Sequence, residues 1–100
     1  MTVTKLEPIP PGEILLEEFL KPLGISQNRL ARDIDIPVSR VSEIVRGSRA
    51  ITADTAMRLG AYFETSAELW LGLQADYDLR LLRNGRGPEI LRRIRPREAA

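Results

Sequence analysis

An all-α fold of five helices around one core is predicted by three observations. Apolar residues recur at helical spacing in five successive stretches. A hydroxyl residue suited to N-capping stands at the head of three of them, as Ser26, Thr52 and Ser66. Proline and glycine punctuate the intervals between them, at Pro22, Gly24, Pro37 and Gly47. A chain of 100 residues makes one domain with a modest core.

The first ten residues hold Pro8 and Pro10 and show no apolar period, so residues 1–10 read as an extended arm. Helix one is expected from about Pro11 to Lys21, with Glu13 complementing the dipole at its start. Leu15, Leu16, Phe19, Leu20 and Leu23 make its core stripe. Helix two opens at Gln27 behind Ser26 and turns Leu30, Ala31 and Ile34 inward. Asp35-Ile36-Pro37 interrupts it, because proline disfavours helix before itself yet suits the first turn of a new one.

Helix three buries Val41, Ile44 and Val45, turns Ser39, Arg40, Ser42, Glu43 and Arg46 outward, and stops at Gly47. Ile51 plugs the core from the following loop, while Arg49 is expected to point outward. Helix four follows Thr52, with Asp54 in its first turn and Ala53, Ala56, Met57, Leu59, Gly60 and Phe63 on its packing side. Ala56 and Gly60 allow close helix contact.

Helix five carries two apolar stripes: Leu69, Trp70, Leu73, Tyr77 and Leu81, then Leu71, Ala75, Leu79 and Leu82. A surface helix needs only one stripe. Either a small domain wraps the helix on both sides, or a symmetric dimer covers the second stripe; Trp70, Leu71, Ala75, Leu79 and Leu82 are the candidate dimer contacts. The domain thus spans 11–83. The arginine-rich tail, 84–100, is either a short helix with Ile90, Leu91 and Ile94 at helical spacing or a segment disordered until a partner arrives.

Composition narrows the chemistry. Lys and Arg total 15 against 14 Asp and Glu, so net charge alone does not signal nucleic acid. The distribution says more: an acidic front with Glu13, Glu17 and Glu18 faces a tail rich in arginine. With no His and no Cys, the commonest general base, the thiolate nucleophile and the usual soft metal ligands are missing. No glycine-rich phosphate loop and no metal-ligand cluster stands in the sequence, so neither enzyme, cofactor nor metal is expected. The pairs Glu17-Glu18 and Asp76/Asp78 read as solvated charges. With neither a membrane-length apolar run nor a signal-peptide pattern, a cytoplasmic location is expected.

Helices two and three have the spacing of a helix-turn-helix. The small Ala31 lets helix three cross close behind helix two, and Ile36, Val41 and Ile44 fill the angle between them. The outer face of helix three is short, polar and hydrogen-bonding, unlike a solvating lysine–glutamate mixture. Helix three is therefore the candidate recognition helix for a DNA major groove.

Three stretches carry a family resemblance: PPGEILLEEFLKPLGIS, RVSEIVRGSRAITADTAMRLGAYFETS and ELWLGLQADYDL. From about Pro8 to Leu79 the chain resembles HigA-type antitoxins, within the lambda-repressor-like (Xre-type) helix-turn-helix regulators. The third stretch is the most specific, because general helix-turn-helix regulators lack it. The resemblance implies a small dimeric protein that neutralises a HigB-type toxin, a ribosome-dependent endoribonuclease of the RelE type, and represses its own operon. The alternative is a stand-alone Xre-type regulator without a toxin. Two positions depart from the pattern: Pro10 where many relatives have histidine, and Asp35 where the turn usually has glycine. Aspartate tolerates the left-handed conformation at a small cost, so the turn should survive.

By position in such a motif, Val38, Ser39, Ser42 and Glu43 are candidates for base contact, with Val38 suited to a thymine methyl and Glu43 to a cytosine amino group. Arg40 suits either guanine or a phosphate. Arg46 and Arg49 are expected on phosphates, and Gln27 matches a glutamine that clamps the backbone in similar repressors. Ser42 ranks last, since serine there can bond its own helix. Two motifs on a two-fold axis would read a palindromic operator in double-stranded DNA with half-sites about 34–36 Å apart. A basic toxin favours the acidic front, Glu13, Glu17 and Glu18, although the arginine-rich tail is a second possible contact.

Overall fold

The computed structural model describes residues 7–98, and within them all regular structure is helical. Part of the arm expected over 1–10 therefore lies outside the described residues. The first helix, α1, joins Pro11–Ile14, a π-helical stretch Leu15–Leu20, and Lys21–Leu23 into one rod over 11–23. It runs past the expected Lys21, and the π register accounts for that. Pro22 has no N–H to give the carbonyl four residues back, and its ring crowds that carbonyl. The wider π turn, in which the amide of Lys21 reaches Leu16 O, accommodates the proline without breaking the rod.

The next helices are α2 (Gln27–Ile34), α3 (Val38–Arg46), α4 (Ala53–Phe63), α5 (Ala67–Asn84) and α6 (Gly87–Arg92). Five helices were expected. The sixth, α6, forms in the arginine-rich tail, opened by Pro88 in its first turn and exposed along most of its length.

The N-caps expected from sequence are present. Ser26, Thr52 and Ser66 accept from the amides of Arg29, Thr55 and Leu69. The ends of α1 to α4 share one device. Gly24, Asp35, Gly47 and Glu64 are left-handed, and the amide after each reaches back five residues, as from Ile36 N to Ala31 O at 3.0 Å and from Thr65 N to Gly60 O at 2.9 Å. Asp35 thus survives in the turn as predicted. Glu64 is a second non-glycine residue in that conformation.

Leu15, Leu20, Leu30, Ile34, Val41, Ile44, Ile51, Leu59 and Trp70 form the core, each under 9% exposed. Burying each such side chain contributes about 1.5–3 kcal/mol, so this cluster supplies most of the driving force. Phe19 lies 5.0 Å from both Phe63 and Trp70, which ties α1, α4 and α5 together at one end. At the other end Gly12 sits directly on α3: a Cβ there would fall 1.7 Å from Ile44 O. Gly60 plays the expected part, because a Cβ on it would approach the Ser66–Ala67 backbone to 2.9 Å. Met57 does not: it is 68% exposed, on the side of α4 away from the core.

Candidate nucleic-acid interface

The α2–turn–α3 unit has its own apolar hinge. Ala31, Ile34, Ile36, Val41 and Ile44 are buried between the two helices and the rest of the core, as the spacing predicted. Burial of these positions forces the opposite side of α3 outward. At about 100° per residue, Val38, Ser42, Arg46, Ser39 and Glu43 fall on one face. Val38, Ser39 and Arg46 are exposed there, and Ser42 and Glu43 are half-buried.

Arg40 projects from the edge of that face. It lines a cleft of about 400 Å³ with Arg49, Asp54 and Arg58, between α3 and the start of α4.

Ser42 does not bond its own helix. Its Oγ donates to Gln27 Oε1 at 3.1 Å, linking α3 to the first residue of α2. With its carbonyl engaged, the Gln27 amide keeps its two N–H donors for another acceptor. Arg49 points outward as expected and is also paired: its Nε lies 2.9 Å from Glu43 Oε1. The loop after Gly47 turns back on the helix end through Ser48, whose amide donates to Glu43 O at 2.9 Å, and this return carries Arg49 to Glu43. Both groups are substantially exposed, so the pair is screened and exchangeable.

The matching family model, Helix-turn-helix, covers residues 16–70. The chain is 53% identical over 73 residues to virulence-associated protein I of Dichelobacter nodosus, covering 73% of this chain and 68% of that one. It is similar in structure to Pseudomonas aeruginosa antitoxin HigA solved with the higBA promoter, at a TM-score of 0.83 and 46% identity, covering 89% of this chain and 97% of that one. The antitoxin GraA in complex with its operator gives a TM-score of 0.87 at 37% identity, covering 99% and 100%. The chain belongs to the HigA antitoxin family of helix-turn-helix proteins.

HigA family membership puts the chain among DNA-binding regulators rather than enzymes. Among the described residues no helix is long and apolar enough to cross a membrane.

In this HigA-type chain the turn is held by residues that the sequence reading missed. Arg58 Nη1 donates to Ile34 O at 2.7 Å and to Asp35 O at 3.2 Å, while its Nε holds Asp54 Oδ1 at 2.7 Å. It thereby satisfies carbonyls left open at the end of α2 and fastens the left-handed turn to α4. The Arg58 hydrogen bond keeps the Asp54 carboxyl below its ordinary pKa, and Asp54 in turn raises that of Arg58. Tyr62 adds a second tie, donating its hydroxyl to Asp33 Oδ2 at 2.8 Å, a bond that pushes the phenol pKa up. A basic residue one turn after an acidic one on α4 was visible in the sequence, but its reach to another helix was not.

The candidate dimer contacts divide. Leu71, Leu79 and Leu82 are 38%, 47% and 44% exposed, and Ala75 is exposed beside them. Trp70 is a correction: it is fully buried in the core of the chain, with Nε1 donating to Thr65 Oγ1 at 2.9 Å, and has no surface to offer a partner. Its one-residue offset from Leu71 turns it about 100° toward α1 and α4. Glu13, Glu17 and Glu18 are all exposed on α1, with Glu17 paired to Lys21 at 2.8 Å.

Proposed function

We propose that this HigA-family protein is the antitoxin of a two-gene module. As a homodimer in the cytoplasm it binds a palindromic operator and represses its own operon, and it neutralises a basic endoribonuclease toxin of the RelE type. One observation carries the DNA-binding part: α3 presents a single polar face, from Val38 to Arg46, on a rigid unit whose apolar side is fully used by the core. The operator and promoter complexes of GraA and P. aeruginosa HigA support the same use of the fold here.

In this reading Val38, Ser39, Ser42 and Glu43 face base edges. Gln27, Arg40, Arg46 and Arg49 contact phosphates and set the register. Dimerisation through α5 is supported by the row of exposed leucines, since a contiguous apolar patch on a small protein marks an interface. The toxin is assigned to the acidic edge of α1, where Glu13, Glu17 and Glu18 would meet a basic nuclease.

The test is co-expression with the small basic protein encoded in the adjacent reading frame, followed by a gel shift on the upstream DNA. Growth rescue, co-purification and a specific shift are expected. Arg40→Ala should weaken the shift without changing the fold or toxin capture. Unchanged operator affinity in that variant would count against this placement of the interface. If no toxin is encoded or captured, the protein is a stand-alone regulator.

A further inference from the structure

Gln74 lies outside both the DNA-reading face and the exposed leucine row, yet it makes two directed bonds. It is half-buried on α5, where its Oε1 accepts from the amide of Ile51 at 2.8 Å and its Nε2 donates to Asp78 Oδ1 at 3.0 Å. Ile51 is 3% exposed and closes the loop that begins at Gly47, where α3 ends. A buried amide must find an acceptor, and here a residue of α5 supplies it. Asp78, one turn further along, takes the N–H end of the Gln74 amide and so turns its carbonyl end to the loop. The same loop carries Arg49, whose Nε holds Glu43 on α3.

Around this bond the end of α3, the start of α1 and α5 enclose a cleft of about 230 Å³, lined by Gly12, Ile44, Ala50, Tyr77 and Leu81 besides Gln74. Apolar contact of that kind is non-directional and leaves sliding and tilting open. A single hydrogen bond between an oriented amide and a loop amide does not.

We propose that Gln74 is a positioning residue for operator spacing. It fixes the recognition helix relative to α5, so that the two copies of α3 in a dimer meet half-sites at one separation. That role rests on the dimeric, palindrome-binding function proposed above.

The test compares the wild-type protein with Gln74→Leu and a Gln74→Glu, Asp78→Asn double variant on three DNAs: the operator mapped by footprinting upstream of its own reading frame, the same operator with one base pair added or removed at its centre, and a single half-site. Sedimentation reports the dimer. A wild-type chain that sediments as a monomer, or that tolerates altered spacing, overturns the dimeric function and this role with it. With a spacing-sensitive wild-type dimer, Gln74→Leu should bind the native operator about tenfold more weakly, the loss of one hydrogen bond and its alignment.

Its penalty for altered spacing should shrink, while half-site affinity and dimer mass stay unchanged. Gln74→Glu keeps an acceptor for Ile51 N but sets a second carboxylate against Asp78, so it is combined with Asp78→Asn, whose amide can donate to it; this double variant should keep the wild-type spacing penalty. A full spacing penalty in Gln74→Leu, or an equal loss on the half-site, overturns the proposal. Should Gln74→Leu fail to fold, Asp78→Ala, which frees the amide to rotate, serves instead: a reduced spacing penalty supports the role and an unchanged one overturns it.

Discussion

Ser42 Oγ lies 3.1 Å from Gln27 Oε1, so α3 and the helix before it share a hydrogen bond on the outward polar face of α3. The serine thereby orients the glutamine: its oxygen is turned to Ser42 and its N–H donors are left for another acceptor, which in the proposed complex is a phosphate oxygen. Gln27→Ala should lower operator affinity several-fold without altering its salt dependence, because no charge is removed. Ser42→Ala should give a smaller loss in the same direction, and the two losses should not add in a double-mutant cycle by fluorescence anisotropy. Additive losses would show that the bond does not position Gln27 on DNA.

Arg46 and Arg49 are expected to differ although both flank α3. Arg46 is exposed and forms no ion pair among the described residues, whereas Arg49 holds Glu43 at 2.9 Å. Arg46→Ala should reduce the slope of log affinity against log salt by about 1, the signature of one lost phosphate contact. Arg49→Ala should cost more affinity than Arg46→Ala, since it also leaves the Glu43 carboxylate unneutralised beside DNA. Adding Glu43→Gln should recover part of that loss. Binding isotherms over a salt series check both statements.

Two helix ends carry avoidable strain. Asp35 at φ 59° and Glu64 at φ 56° hold a conformation that glycine adopts without crowding at Cβ. Asp35→Gly and Glu64→Gly should each raise unfolding stability by about 0.5–1 kcal/mol, seen as a higher urea midpoint at unchanged slope. The Asp35 change keeps the backbone carbonyl that Arg58 grips, so the recognition angle should be unaffected.

Gly12→Ala should do the opposite. Its new methyl would overlap Ile44 O, and α1 would have to lift from α3. A loss of about 3 kcal/mol or more is expected, at the upper end for overpacking a well-packed contact. Thermal unfolding followed by far-UV circular dichroism would register it, and an unshifted midpoint would mean that the α1–α3 contact is looser than described.

Local physics carried most of the fold into the sequence. The caps at Ser26, Thr52 and Ser66, the apolar periods and the stop at Gly47 depend on neighbours within a turn or two, so they could be read along the chain. The outward face of α3 could be read because the inward face was apolar. The π stretch before Pro22 was not anticipated, since sequence alone did not tell whether the proline would end the rod or be absorbed by a wider turn. Met57 was misplaced because a helical period places residues around a helix without fixing where the neighbouring helices lie.

By itself, then, the sequence determined that this protein is a helix-turn-helix domain, which helix turns a polar face outward, and to which family it is similar. Tertiary structure decided which residues are engaged with one another. Trp70 is buried in the core instead of standing on the presumed partner face, because it lies about 100° round α5 from Leu71 and packs against the rings of Phe19 and Phe63. Arg49 met Glu43, Arg58 took hold of the turn, and Gln74 took hold of the loop behind the recognition helix. The last two partnerships span more than twenty residues of chain. Hydrogen bonds at that separation depend on how whole helices pack, which periodicity and capping cannot report.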